Sequence, residues 1–149
     1  MKETSSGLRR YQVEVRRLDE AHALASSHGF TLSLGVRRGD PSAGFNAAET
    51  LLAALGACIT TNINALAAKM RLRVDEVRVD LVGYRRDNPP GIVRIDYTLT
   101  LVSPEPEDKL RRLDNLAFKY GTVTNTLPER LELHRSLRIE RPAVEEREG

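Results

Sequence analysis

The sequence predicts an α+β fold, in which mainly antiparallel strands pack against two helices. Segments 77–82 and 93–101 alternate apolar and polar residues, which is the period of half-buried strands. Segment 47–70 is rich in alanine and leucine and favours a long helix. A second helical pattern follows these strands. The order is therefore strands, helix, hairpin, helix and strand, as in α+β proteins.

The segment before the long helix is predicted to form two strands. Residues 11–16 alternate in polarity, and residues 30–36 do the same after a glycine-containing turn. Glycine and proline within residues 39–44 predict a loop that leads to Asn46, whose side chain can cap a helix. Glu49, three residues later, stands where the acid of a capping box is expected.

The predicted helix over residues 47–70 is apolar on nearly every side. Such a helix needs cover on more than one face, and a single small sheet cannot wrap around it. A second copy of the chain would bury both helices between sheets at a two-fold interface. We therefore predict a homodimer with two long helices at its centre.

The second half of the chain contains a hairpin, a helix and a final strand. Proline and glycine within residues 87–91 predict the hairpin turn. Pro104 and Pro106 introduce the second helix, and Gly121 is expected to end it as a left-handed cap. The last strand is predicted within residues 131–140. One face of the second helix is apolar and comprises Leu110, Leu113, Leu116, Ala117 and Tyr120.

Composition limits the domain count and the partners. A chain of 149 residues is predicted to form one domain, 1–149, with frayed polar ends at 1–7 and 143–149. The net charge is only +2 and the basic residues are interleaved with acids, which argues against a nucleic-acid partner. The first residues lack an apolar signal core, and the apolar run 51–59 is too short to span a bilayer. We therefore expect a protein that binds neither nucleic acid nor membrane.

Cys58 is the protein's one cysteine. A single cysteine excludes an intramolecular disulfide and suits a reducing cytoplasm, where we expect the protein to reside. The three histidines show no ligand spacing and Cys58 has no cysteine partner, so neither a metal nor another cofactor is predicted. A lone thiol on a buried helix is either a small core residue or a reactive centre.

Two motifs carry a family resemblance. Residues 49–58, Glu-Thr-Leu-Leu-Ala-Ala-Leu-Gly-Ala-Cys, resemble the signature helix of the OsmC/Ohr family of thiol-dependent hydroperoxide reductases. Residues 120–127 resemble the family's second motif, which usually contains Cys-Pro-Val-Ser, but Gly121 and Thr122 replace the Cys and Pro. The resemblance extends from about Tyr11 to Ile139. It implies an OsmC-like intertwined homodimer, in which antiparallel sheets surround two central helices and the cysteine sites lie at the subunit interface.

The resemblance also implies roles for three residues. Cys58 would attack the peroxide as a thiolate, and Glu49 matches the acid that orients an arginine from an N-terminal loop. Arg17, near the end of the first predicted strand, is our candidate for that arginine. A cation is needed, because Cys58 lies about three turns into its helix, where the dipole gives little help. In a straight helix, however, nine residues at about 100° each place Glu49 opposite Cys58, and capping alone would explain this acid.

The replacement of the second cysteine leaves three functions open. The first is reduction of small organic hydroperoxides in oxidative-stress defence, with an external thiol completing each turnover because Gly121 cannot. Apolar residues around Cys58 would favour alkyl hydroperoxides over hydrogen peroxide. The second is a non-catalytic dimer that binds a small apolar ligand at the subunit interface. The third is a degenerate stress protein without activity.

Overall fold

The computed structural model describes residues 7–144 and confirms the α+β fold class. The predicted frayed ends lie largely outside the described residues. Contacts along the chain group it into two compact units, Met1–Thr50 and Leu51–Gly149. The single-domain organisation stays a prediction.

The first unit contains a three-stranded antiparallel sheet of β1 (Glu14–Arg17), β2 (His22–Ser27) and β3 (Phe30–Gly35), in that order. Two of these strands were predicted, although β1 begins three residues later than its alternating pattern. β2 was missed because its sequence, His-Ala-Leu-Ala-Ser-Ser, has few residues that favour strands. The turn between β2 and β3 is confirmed, since His28 and Gly29 both have positive φ.

One face of this sheet is apolar. The pairing register aligns Val15, Ala25 and Leu32 across the three strands, so their side chains share a face. Two residues along each strand, the same face carries Arg17, Ala23 and Leu34. We call these six residues the apolar face of the first sheet. Arg17 is its charged member and stands at the end of β1.

The long helix α1 (Ala47–Lys69) begins where the sequence predicts and ends one residue earlier. Its first turn has the expected capping box: the Glu49 N–H donates to Asn46 Oδ1 at 2.8 Å, and the Asn46 N–H donates to Glu49 Oε1 at 3.0 Å. By length and composition alone this helix could also cross a membrane, a property that core helices of globular proteins share. Its buried residues are Leu55, Gly56, Ile59, Ile63 and Ala67.

The second unit contains a mixed sheet of β4 (Glu76–Asp87), β5 (Pro90–Val102) and β6 (Glu132–Glu140). β4 and β5 form the predicted hairpin, which closes at the pair Asp87 and Pro90. β6 pairs with β5 in parallel, so the sheet is not wholly antiparallel. The intervening helical segment carries the chain back across the sheet, and this is the connection that parallel neighbours require.

A short helix begins where the sequence predicts a glycine cap. α2 (Glu107–Lys119) is followed by its C-cap residue Tyr120, and Gly121 then precedes the five-residue helix α3 (Thr122–Thr126). Gly121 has φ −81° and ψ 139°, so the prediction of a left-handed cap is wrong. α3 was missed because threonine and valine have low helix propensity. Tyr120 is exposed rather than part of the packed face; the buried residues of α2 are Leu110, Leu113 and Ala117.

Candidate active site

Cys58 lies at the edge of the buried stripe of α1 and is half-buried. Asn62, one turn further along, holds its side-chain nitrogen 3.9 Å from Cys58 Sγ. The same Asn62 nitrogen donates a hydrogen bond at 3.3 Å to the carbonyl oxygen of Ala117 in α2. The thiol is therefore fixed next to the C-terminal end of α2.

Gly121, which lies between α2 and α3, is next to the Cys58 thiol. A Cβ placed on Gly121 would lie 3.0 Å from Cys58 Sγ and 3.0 Å from Asn62 Nδ2. It would also overlap Thr124 Oγ1, which lies one turn along α3. The two sequence motifs thus meet in space, and Gly121 is the point of contact.

The sequence analysis missed a group of polar residues in the same unit. The guanidinium of Arg135 on β6 lies 3.3 Å from Asp114 Oδ1 on α2, and its Cζ is 4.0 Å from the ring centre of Phe118. Arg135 is opposite Tyr97 in the pairing of β5 and β6, so both side chains point to the same face of the sheet. The signal was present: Arg135 is in phase with the apolar residues Leu133 and Leu137 of its strand.

Burial and the neighbouring charges set the pKa values of Tyr97 and Asp114. Burial raises the pKa of Tyr97 to about 12, and the charges of Asp114 and Cys58 act in the same direction. Arg135 lowers the pKa of Tyr97 through its charge and through a polar contact with the Tyr97 hydroxyl. That contact does not have the geometry of a hydrogen bond. Burial also raises the pKa of Asp114, while Arg135 counteracts that rise. Tyr97 is therefore a neutral hydroxyl at physiological pH.

Arg17 and Glu49, the other two predicted site residues, belong to the first unit, whereas Cys58 belongs to the second. Arg17 is exposed at the end of β1, opposite Ala23. Glu49 is exposed and takes part in the capping box with Asn46. Its role as a cap is therefore clear, and the catalytic roles of both residues stay predictions.

The part of the chain that the structure describes contains no group of side chains suited to bind a metal ion. Within residues 7–144, no cluster of three or more histidine, cysteine, aspartate or glutamate side chains is arranged to hold a metal ion. The site brings the Cys58 thiol together with the side-chain amide of Asn62 and the backbone at Gly121.

Fold and site define an α+β protein whose long helix carries a half-buried cysteine against the start of a short helix. The sequence model of OsmC-like proteins matches residues 39–134, which is more than half of the chain. The chain belongs to the OsmC-like family, and the resemblance seen in the two motifs is confirmed.

Known relatives agree with this assignment. A protein of Mycoplasma genitalium named hydroperoxide reductase is 26% identical over 123 residues, which cover 80% of this chain and 87% of the relative. The crystal structure of an OsmC-like protein from Mycoplasma pneumoniae has a TM-score of 0.81 at 20% identity, covering 89% of this chain and 98% of that one. The organic hydroperoxide resistance protein OhrB of Bacillus subtilis has a TM-score of 0.62 at 18% identity, covering 87% and 98%. These two structures establish the OsmC-like fold.

Proposed function

We propose that this protein is a single-cysteine, thiol-dependent reductase of organic hydroperoxides that works as an intertwined homodimer. The observation that carries the proposal is the half-buried Cys58 thiol, fixed beside Gly121 in a member of the OsmC-like family. The relative named hydroperoxide reductase supports the same activity. We further propose that the protein acts in the cytoplasm, where reduced thiols are available, without nucleic acid or membrane.

The proposed reaction has three steps. The Cys58 thiolate attacks the terminal peroxide oxygen, the O–O bond breaks, and the alkoxide takes up a proton and leaves as an alcohol. Cys58 is now a sulfenic acid, which condenses with one external thiol to a mixed disulfide and releases water. A second external thiol attacks that disulfide, regenerating Cys58 and leaving as the oxidised thiol pair. The external thiol is required because Gly121 has no sulfur.

Arg17 and Glu49 complete the proposed chemistry. A thiolate is stabilised by a nearby cation, and Arg17 is the cation on the apolar face of the first sheet. A charge on an otherwise apolar face is costly to cover unless it meets an anion, which a thiolate would supply. Glu49 is proposed to orient this arginine in addition to capping α1.

Two uncovered surfaces support the homodimer. On the apolar face of the first sheet, Val15 is 59% exposed and Leu32 is 53% exposed. Phe30, on the same side of β3, is 73% exposed. A second surface is the exposed side of α1, where small residues would let another helix approach closely; it comprises Ala53, Ala54, Ala57, Thr61, Ala65 and Ala68. Apolar surfaces of this kind are typical of association sites.

The dimer can be tested with a charge on α1. Ala65→Glu is expected to shift the protein from dimer to monomer, because the partner helix would have to bury an unpaired carboxylate. Light scattering coupled to size-exclusion chromatography measures the mass. Ala143→Glu, at an exposed residue near the C-terminus, is the matched control and should stay dimeric. A monomeric wild-type protein at all concentrations would contradict the dimer.

Activity is expected to depend on both Cys58 and an added thiol. The wild type should consume cumene hydroperoxide faster than hydrogen peroxide when dithiothreitol is present, and should stop after one turnover without it. Cys58→Ser should lose at least about 1000-fold in rate, since a hydroxyl is a far weaker nucleophile than a thiolate. Mass spectrometry should find oxygen added at Cys58 alone.

The alternative is a non-catalytic dimer that binds a small apolar ligand, and the glycine at position 121 favours it because no resolving thiol is present. This alternative predicts that Cys58 stays unmodified after excess cumene hydroperoxide. It also predicts that Cys58→Ser leaves the binding of an apolar fluorescent probe unchanged.

A further inference from the structure

The hydroxyl of Tyr97 is the one buried side-chain polar atom in residues 7–144 without a hydrogen-bond partner. Tyr97 is only 3% exposed. A buried hydroxyl normally has a partner, because it loses its bonds to water when it is covered. Unpartnered groups of this kind are often found where a ligand or a reacting group supplies the missing partner.

A chain of contacts connects Tyr97 with the residues around the thiol. Tyr97 stands between Ile95 and Leu99 on the inward face of β5, and both of these neighbours are fully buried. Its partner in the register, Arg135, reaches α2 at Asp114 and Phe118. One turn from Asp114, the Ala117 carbonyl accepts the hydrogen bond from Asn62, whose nitrogen is near Cys58 Sγ.

The protonation state of Tyr97 suits a proton donor. The charge of Cys58 is the smallest of the influences on the pKa of Tyr97, and it acts to raise that pKa. The hydroxyl is protonated at neutral pH, with a pKa of about 12. A phenolic hydroxyl is still more acidic than an aliphatic alcohol, so it can protonate an alkoxide.

We propose that the Tyr97 hydroxyl donates its proton to the oxygen that leaves when Cys58 attacks a hydroperoxide. This inference rests on the proposed peroxide reduction. The sulfur forms a bond to the terminal oxygen of ROOH, and the O–O bond breaks with its electron pair on the RO oxygen. That oxygen takes the Tyr97 proton and departs as ROH, and the new sulfenic acid returns a proton to Tyr97. Thiolate and hydroperoxide thus become sulfenate and alcohol, with charge conserved.

Arg135 is a positioning residue in this scheme. Its guanidinium is held by Asp114 and lies over Phe118, so it is not free to turn towards solvent. A positive charge at this place lowers the pKa of Tyr97 and would stabilise the transient phenolate. The ion pair therefore supports the donor without having to touch the peroxide.

The test compares leaving groups in the dimer at single turnover. Tyr97→Phe removes one oxygen and should slow the reaction of Cys58 with cumene hydroperoxide by at least about tenfold, since general acids contribute about 100-fold or more. Peracetic acid leaves as a carboxylate that needs no proton, so its rate should change by less than about threefold. Alkylation of Cys58 by iodoacetamide should not change, because no oxygen leaves.

A control and a second substitution separate the outcomes. Tyr84→Phe removes the hydroxyl of an exposed tyrosine that stacks with Arg94 and should leave all three rates unchanged. Incorporating 3-fluorotyrosine at position 97 keeps the hydroxyl and makes it more acidic. This should change the cumene hydroperoxide rate and leave the peracetic acid rate as it is.

The rates distinguish a failure of the Tyr97 inference from a failure of the proposed peroxide reduction. Equal slowing by Tyr97→Phe with all three reagents would show that Tyr97 has a packing role only and would overturn the inference. An unchanged rate with cumene hydroperoxide would overturn it as well. If the wild-type thiol reacts with iodoacetamide but with neither peroxide, the proposed function itself fails. If Tyr97→Phe does not fold, equal rates for the 3-fluorotyrosine protein and the wild type would overturn the inference.

Discussion

A protein that carries Gly121→Cys and Thr124→Ala is expected to close a disulfide with Cys58 after one turnover with cumene hydroperoxide. A Cβ on Gly121 would lie 3.0 Å from Cys58 Sγ. In a disulfide, a Cβ lies about 3 Å from the far sulfur, because the S–S bond is about 2.05 Å and the adjoining C–S bond about 1.8 Å. The new thiol would attack the sulfenic acid of Cys58 and release water.

The second substitution is needed for steric reasons. Gly121 has a negative φ that any residue adopts, so a cysteine there meets no backbone strain. Its Cβ would, however, overlap Thr124 Oγ1, and Thr124→Ala removes that atom. The Thr124 hydroxyl donates to the Phe118 carbonyl at 2.6 Å, so we expect this change to cost about 1 kcal/mol. Gly121→Cys alone should be less stable than the double variant, because both groups would compete for one space.

Mass spectrometry after alkylation of free thiols measures the outcome. The double variant should lose both free thiols and should turn over with a dithiol reductant without accumulating over-oxidised Cys58. Thr122→Cys, which places a thiol on the exposed neighbouring residue, is the matched control and should form no bridge to Cys58. A double variant that keeps its introduced thiol free while Cys58 becomes sulfenic acid would disprove the correspondence between Gly121 and a resolving position.

The sequence predicts best those elements whose local signals agree. α1 combines high helix propensity with a capping box, and its first residue is predicted correctly. The hairpin of β4 and β5 combines strict alternation with a strong turn signal. β2 and α3 were missed because local propensity opposes the structure that is formed. In both segments packing and neighbouring elements decide the conformation.

The residues of the candidate site also differ in how well the sequence predicts them. Cys58 and Gly121 were found because each lies in a contiguous motif of the sequence. Tyr97 and Arg135 were missed because they are brought together by the parallel register of β5 and β6, which no short motif encodes. Gly121 was assigned the wrong backbone conformation, since the start of α3 was not foreseen.

The ion pair of Arg135 and Asp114 leads to a prediction about stability. Both groups are largely covered, with side chains 27% and 14% exposed. Arg135→Met keeps much of the aliphatic packing and leaves the Asp114 carboxylate without its cation. Breaking a fully buried pair costs about 3–5 kcal/mol, so for this partly covered pair we expect a loss of about 1–3 kcal/mol near neutral pH. Chemical denaturation of the wild type and the variant measures this loss.

The loss should depend on pH in a defined direction. Burial raises the pKa of Asp114 above its usual 3.8 in the folded protein, so the folded state holds this proton more tightly than the unfolded chain. The contribution of Asp114 to stability therefore falls as pH rises from below 3.8 through the folded pKa. Arg135 counteracts this fall, since its charge lowers the Asp114 pKa. Without Arg135 the decrease in stability with rising pH is larger. Arg135→Met should therefore be more destabilising near pH 7 than near pH 4.

Two further variants test whether the loss of stability comes from the unpaired Asp114 carboxylate. Arg85→Met removes an arginine from an ion pair with Asp87 in which both side chains are more than half exposed, and it should cost less than about 0.5 kcal/mol at either pH. Adding Asp114→Asn to Arg135→Met removes the unpaired carboxylate, and should recover part of the stability and flatten its pH dependence. An equal loss at both pH values would mean that Arg135 stabilises the protein only through its packing on Phe118 and its hydrogen bond to Asn115 Oδ1. The environment of Tyr97 would then lack the electrostatic support that the ion pair is inferred to give.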